Sequence, residues 1–300
     1  MKVHIIKWRP IWYIISSVSI LLSVAFLAMW GLKQGLEFTG GALMALHFDT
    51  RPETADVERV LNDTKIDLGS LVIQPVGDKD VQIRMKPITE DQHQQIFSSV
   101  KKAYPAVTEL RFDAIGPVIG QELRDKSIKG LVVALFAIML YVAYAFRKVS
   151  APVQSWKYGL ITIFTAFHDV IVPIGVFAYL GKFHGIEVGT SFIAAILTIL
   201  GYSITDTIVV LDRVRENLQK RSGAFEDLVE LSVHQTFLRS FNTSMATLLT
   251  LFAILFFGGS SLHDFTLTLI IGIIVGTYSS IFIASPLLVT WNNWTKKRSA

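Results

Sequence analysis

The chain contains no cysteine among its 300 residues. Disulfides, cysteine-ligated zinc, iron–sulfur clusters and thiol catalysis are therefore excluded. Charge is also scarce: Asp, Glu, Lys and Arg make up 17% of the residues, against about 25% in a soluble domain. Hydrophobic residues supply 51% and the mean hydropathy is +0.48, so much of the surface must face something other than water. Lys and Arg outnumber Asp and Glu by only 28 to 24. That excess is too small for nucleic-acid binding without a concentrated basic patch. Nucleophile elbows, HExxH metal motifs and glycine-rich phosphate loops are all missing, and nothing points to an enzyme, a metal or a cofactor.

Long apolar runs fill the gap. A spanning helix needs roughly 20 mostly apolar residues, and Ile11 to Trp30 supplies them without a charge. A secretory signal has a shorter apolar core and a small-residue cleavage site. Here Met29-Trp30-Gly31-Leu32 closes the run, which is read as an uncleaved anchor. Five further runs lie at about 128–146, 158–181, 188–211, 240–258 and 265–290. The pattern predicts a polytopic α-helical membrane protein with six transmembrane helices. Basic residues collect on the cytoplasmic side of short loops. Lys2, Lys7 and Arg9, then Arg147, Lys148 and Lys157, then Arg213, Arg215, Lys220 and Arg221, then Lys296, Lys297 and Arg298 fall on one side. The loop at 182–187 carries only Lys182, and the loop at 259–264 carries no Lys or Arg. Both termini are expected in the cytoplasm and the polar insert between the first two spans outside.

That insert alternates in type. Ala42–Phe48 reads as a strand and Thr54–Asn62 as a helix; Leu71–Gln74 and Val81–Met85 read as a hairpin around Gly77-Asp78. A helix is predicted over Thr89–Tyr104, with Thr89 as N-cap and Pro105 as its stop, and Leu110–Phe112 as a last strand. The order βαββαβ predicts a small α+β domain of ferredoxin-like type. The domains expected are 1–34 (tail and first span), 35–125 (the α+β insert) and 126–300 (the remaining five spans).

An ionisable residue inside a span costs roughly 2.5–3.5 kcal/mol on insertion scales, and so usually faces protein or water and has a function. Asp206, in the fourth run, and Asp169, beside His168 in the third, qualify. Ala194, Thr198, Gly201 and Thr205 form a small-residue stripe bordering Asp206, which should pack against another helix. Counting back from Asp212 places Asp206 roughly 9 Å from the helix end. Arg239, on a face with Asn242, Thr243, Ala246 and Thr250, is the expected counter-charge, so that the pair forms a proton relay. Tyr202, Ser203, Thr205 and Thr243 are expected to support it, and Asp169 is a weaker candidate for the pathway. Gly272, Gly276, Ser280 and Ala284 recur every fourth residue, a face for tight helix packing in which Gly201 is also placed. Adjacent helical side chains diverge by about 100°, so His168 and Asp169 are not expected to act as one metal or catalytic unit.

These segments resemble the SecF family of the bacterial protein-export apparatus. Gly35–Gly41 (GLEFTGG) resembles its G-[IL]-D-F-T-G-G, and Ile115–Leu123 (IGPVIGQEL) its V-G-P-x-[VI]-G-x-E-L. Gly201–Asn217 (GYSITDTIVVLDRVREN) is close to G-Y-S-x-N-D-T-I-V-V-x-D-R-[IV]-R-E-N, and Arg239–Leu248 resembles R-T-x-x-T-S-x-T-T-L. Gly272–Ala284 also follows a family pattern. Glu37 stands where Asp is usual, Thr205 where Asn is usual, and Ser240 and Ala246 replace Thr. The resemblance implies an RND-superfamily subunit of the bacterial inner membrane with a periplasmic domain. It implies pairing with SecD, association with SecYEG and, in some members, YajC or YidC, and use of the proton gradient on exported polypeptides. The family's proton-path Asp and Arg fall on Asp206 and Arg239. The alternative is a proton-coupled small-molecule efflux carrier of the same superfamily, although an insert of about 80 residues is too small to enclose a drug pocket by itself; a third reading makes the charged groups assembly scaffolds only.

Overall fold

The computed structural model describes residues 4–145 and 153–299. Lys2, Phe146, Arg147 and Lys148 lie outside the described residues, as do the side chains of Lys296, Lys297 and Arg298. In chain order the elements are α1 (Arg9–Trp30), α2 (Leu36–Thr39), β1 (Gly41–His47), α3 (Thr54–Asn62), β2 (Val72–Val76), β3 (Asp80–Met85), α4 (Glu90–Ala103) and β4 (Thr108–Ile115). Then follow α5 (Pro117–Ala145), α6 (Ser155–His184), α7 (Thr190–Lys220), α8 (Phe225–Phe257), α9 (Ser260–Ser279), a π-helical turn (Ser280–Ala284) and α10 (Ser285–Ser299). Residues 34–128 form one compact unit, and the chain through 33 and from 129 onward forms another.

In the 34–128 unit four strands pair antiparallel in the order β2-β3-β1-β4. Alternation along β1 sends Ala42, Met44 and Leu46 to one face, where they bury with Val81, Ile83 and Met85 of β3. Val57 and Leu61 of α3 and Ile96 and Val100 of α4 close that core. The Thr89 hydroxyl accepts from the Gln92 N–H, while the Gln92 side chain accepts from the Thr89 N–H. This capping box fixes where α4 begins. β4 runs beyond the predicted 110–112: Glu109, Arg111 and Asp113 are the polar half of an alternation with Leu110, Phe112 and Ala114, and pairing with β1 carries it over the whole of Thr108–Ile115. Two separated glycine motifs meet here: a Cβ on Gly40 would lie 2.9 Å from Pro117 Cα, and one on Gly120 would lie 2.9 Å from Gly40 N. The start of α5 therefore rests directly on the backbone after α2, and only glycine permits that approach.

Among the described residues six helices are long and apolar enough to cross a membrane, five of them wholly in the other unit and one, α5, continuing into it from residue 129. α1 lies on α6 at backbone distance, since a Cβ on Gly175 would meet the Ser23 Cβ at 2.2 Å. α9 lies as closely on α7: a Cβ on Gly272 would fall 2.1 Å from Ile199 Cδ1, and one on Gly276 would fall 3.0 Å from Ser203 Cβ. The sixth apolar run is not one uniform helix but changes to π geometry at Ser280–Ala284, a feature frequent at functional positions.

The fourth and fifth helices outrun their apolar segments. α7 continues to Lys220, so its end lies 14 residues past Asp206, roughly 21 Å at 1.5 Å per residue, rather than 9 Å. α8 starts at Phe225, well before residue 240. Polar pairing sustains both extensions: Asn217 Nδ2 donates to Ser232 Oγ and Gln235 Oε1, both at 2.8 Å, and Arg213 Nε donates to Gln235 Oε1 at 2.7 Å.

Candidate functional site: two acids in the helix bundle

Asp169 sits mid-way along α6 and is fully buried. Its Oδ1 lies 2.8 Å from His168 Nδ1; its Oδ2 accepts from Ser203 of α7 and, at 2.6 Å, from Ser279 of α9. One carboxylate thus ties three helices. Although adjacent on the helix, the His168 and Asp169 side chains meet rather than diverge. The other ring nitrogen of His168 is buried without a hydrogen-bond partner among the described residues. No cluster of three metal-ligating side chains occurs among the described residues.

Asp206 is built differently. Ser240 Oγ of α8 donates to its Oδ1 at 2.5 Å. Its Oδ2 is buried without a hydrogen-bond partner among the described residues. Ser280 shares a 3.0 Å hydrogen bond with Thr207 and donates to the Gly276 carbonyl at 2.9 Å. A cleft of about 450 Å³ opens beside the carboxylate, lined by Thr198, Gly201, Tyr202, Thr205, Arg239 and Thr243 among others.

Arg239 and Asp206 therefore border one cleft, yet no ion pair joins them among the described residues, and Ser240 holds the position expected of Arg239. Of the supporting residues, Ser203 serves Asp169 rather than Asp206. Tyr202 donates to Ser244 at 3.0 Å, and Ser244 pairs with Thr277 at 2.6 Å. The hydroxyls of Thr205 and Thr243 bond back to the carbonyls of Gly201 and Arg239 and touch neither acid.

The contact expected of the small-residue stripe on α7 is not made among the described residues of this chain. The stripe Ala194, Thr198, Gly201 and Thr205 is exposed, and nothing among the described residues lies within 4 Å of a Cβ placed on Gly201. The face of α8 bearing Arg239, Asn242, Thr243, Ala246 and Thr250 is exposed as well. The inward face of α8 is a run of hydroxyls, Ser232, Thr236, Ser240 and Ser244, all buried. Their four-residue spacing was the sequence signal for Ser240, outweighed by the charge next to it. Ser279 left no comparable signal, because it faces Asp169 from the turn where α9 passes into π geometry.

Residues 95–294 match the family described as protein export membrane protein SecD/SecF, C-terminal. The SecF protein translocase subunit of Thermobaculum terrenum is 38% identical, over 97% of this chain and 94% of its own length. That of Pseudomonas aeruginosa is 36% identical, over 99% of this chain and 94% of its own length. The crystal structure of SecDF from Thermus thermophilus, a translocon-associated membrane protein, superposes with a TM-score of 0.83 at 32% identity over 98% of this chain. This chain spans 39% of that longer polypeptide. Six apolar helices and such relatives define a multi-pass membrane protein of a transport rather than a catalytic class. Within that class, the chain belongs to the SecF family of protein translocase subunits.

Proposed function

We propose that this subunit works with a SecD partner to couple the proton-motive force to late steps of polypeptide translocation through SecYEG, with Asp206 as the group that gains and loses the proton. In this reading both termini face the cytoplasm, the protein resides in the bacterial inner membrane, and residues 35–125 form a ferredoxin-like periplasmic domain after the tail and first span (1–34) and before the five-span bundle (126–300). YajC or YidC are further candidate associates. The observation that carries the reading is the asymmetry of the two acids. Asp169 has both oxygens satisfied inside the bundle. Asp206 has one oxygen held by a single hydroxyl, the other poorly satisfied, and an open cleft with an arginine on its rim.

A relative from Thermus thermophilus joins SecD and SecF in one polypeptide, of which this chain covers 36%. That supports SecD as the partner, and the exposed stripe at Gly201 and the Arg239 face are where it would sit in this reading. Arg239 then becomes the counter-charge of Asp206 in a second state of the cycle. One proton crossing is worth about 2.3 kcal/mol per 100 mV, enough to bias an equilibrium of a few kcal/mol between two conformations. In vesicles containing SecD and SecYEG, Asp206→Asn should abolish the stimulation of export by a proton gradient while assembly stays normal. Undiminished stimulation would sink the proposal.

A further inference from the structure

Residues 4–8 precede α1 as a short turn, closed by the Trp8 N–H bonding to the His4 carbonyl at 3.3 Å. Ile5 and Ile6 in that turn are buried as completely as the core of the bundle. Ile5 packs with Val210 of α7, Val233 of α8 and Ile281 of the π turn, flanked by Phe237 and Phe282. Val210 is four residues past Asp206, one helical turn or roughly 6 Å along the axis. Ile281 directly follows Ser280, which contacts Thr207 beside Asp206. An apolar layer therefore lies immediately below the carboxylate on the side of the Lys220 end of α7, and a residue from outside the helices supplies part of it. Beyond the layer the contacts become polar again, with Arg213, Asn217, Ser232 and Gln235 interlinked.

Directed hydrogen bonds hold the turn in place. Both oxygens of Glu230 on α8 accept from its backbone, from Ile5 N–H at 2.8 Å and Ile6 N–H at 2.7 Å. Trp12 Nε1 donates to the Ile5 carbonyl at 3.1 Å. Arg9 pairs with Glu226 at 3.2 Å, and Asn293 donates to the same carboxylate at 2.7 Å. A segment fastened through a few polar bonds, with only two side chains inserted, can leave without dismantling the bundle.

We propose that residues 4–8 are a plug that closes the Asp206 site toward the Lys220 end of the bundle, with Glu230 as its catch. The proposal rests on Asp206 being a proton-exchanging group: such a site needs water from one side at a time, and this apolar layer is what withholds it on this side. Ile5 and Glu230 are positioning residues that act on access and not on the proton.

The cysteine-free sequence provides the test. Thr207→Cys places one thiol just above the layer, and the full-length protein in liposomes is exposed to a small membrane-impermeant thiosulfonate from each side in turn. Adding Ile5→Ala with Glu230→Gln should raise the modification rate at least ten-fold from one side only, and Ile5→Leu should keep it slow. Thr268→Cys, at a buried position on α9, reports general loosening and should stay protected in every background. Unchanged rates at position 207, or equal acceleration at 207 and 268, would overturn the plug. The readout is access, not export, so loss of the proton-coupled reading through Asp206→Asn and loss of the plug through labelling are separate results.

Discussion

Replacing Asp169 with alanine should unfasten α6, α7 and α9 together. The substitution removes the acceptor of three donors, His168 Nδ1, Ser203 Oγ and Ser279 Oγ. Hydrogen bonds between membrane helices average about 0.6 kcal/mol and reach about 1.7; two of the three, from Ser203 and Ser279, run between helices, so the loss is roughly 1–3 kcal/mol. Removing the Ser203 hydroxyl alone should cost only about 0.6–1.7 kcal/mol by the same measure. The assay is equilibrium unfolding of the full chain in mixed micelles, following helical circular dichroism as denaturing detergent rises. A double-mutant cycle completes it: once Asp169 is gone, Ser203→Ala should cost almost nothing further, because that hydroxyl has already lost its partner. Fully additive losses, or an Asp169→Ala protein within about 0.5 kcal/mol of the parent (the usual effect of a surface change), would refute the three-helix tie.

The two glycines assigned to packing should behave oppositely. Gly272→Ala drives a methyl into Ile199 and should cost about 1–3 kcal/mol by overpacking, in the same micelle titration, with Ile199→Ala relieving part of it. Gly201→Ala meets no atom of the described residues and should leave the chain's own unfolding unchanged, while lowering co-purification with SecD if that face is where SecD sits. In the 34–128 unit, a hydrogen bond from Gln94, then one from His93, holds the Glu90 carboxyl below its ordinary range, and Lys86 does the same for Asp67. Folded values below unfolded ones mean that this support is complete above the unfolded pKa and fades as pH falls through the folded one. Protection of β3 and α4 amides against hydrogen exchange, relative to unstructured chain at the same pH, should therefore fall below about pH 4, the ordinary carboxylate range, and hold steady above it.

The strongly patterned parts of the chain were legible in advance. Six apolar runs gave six helices, because backbone groups in hydrocarbon must bond within their own segment. The insert's strands and helices lay close to where turn residues and the Thr89 cap placed them, since those signals are local. Helix ends were not legible, as hydropathy reports the membrane and not the backbone: α7 and α8 continue on polar pairs such as Asn217–Ser232, which no apolar count detects. The hydroxyl partners of the acids were missed for a related reason. Charge drew attention to Arg239, whereas the group that meets Asp206 is the neutral Ser240 one residue on. Small residues on α7 suggested a packed face, but size alone does not say whether a face packs within the chain or lies bare on its surface.

That one-residue offset also limits how the proposed relay can operate. Ser240 and Arg239 are consecutive on α8, so their side chains leave the axis about 100° apart. Ser240 faces Asp206 while Arg239 stands exposed at the edge of the same cleft. Exchanging one for the other therefore calls for α8 to roll about its own axis or for the long Arg239 side chain to fold inward. Sliding along the axis would instead carry the neighbours four residues away, Thr236 or Ser244, toward the carboxylate. The bonds between α7 and α8 at this level suit rolling: both Ser240–Asp206 and Tyr202–Ser244 are single hydrogen bonds to hydroxyls. α6, α7 and α9 share the Asp169 carboxylate and resist the same motion. By the rolling route the moving part of the proposed cycle is α8, turning against a frame that Asp169 holds still; by the folding route it is the Arg239 side chain alone.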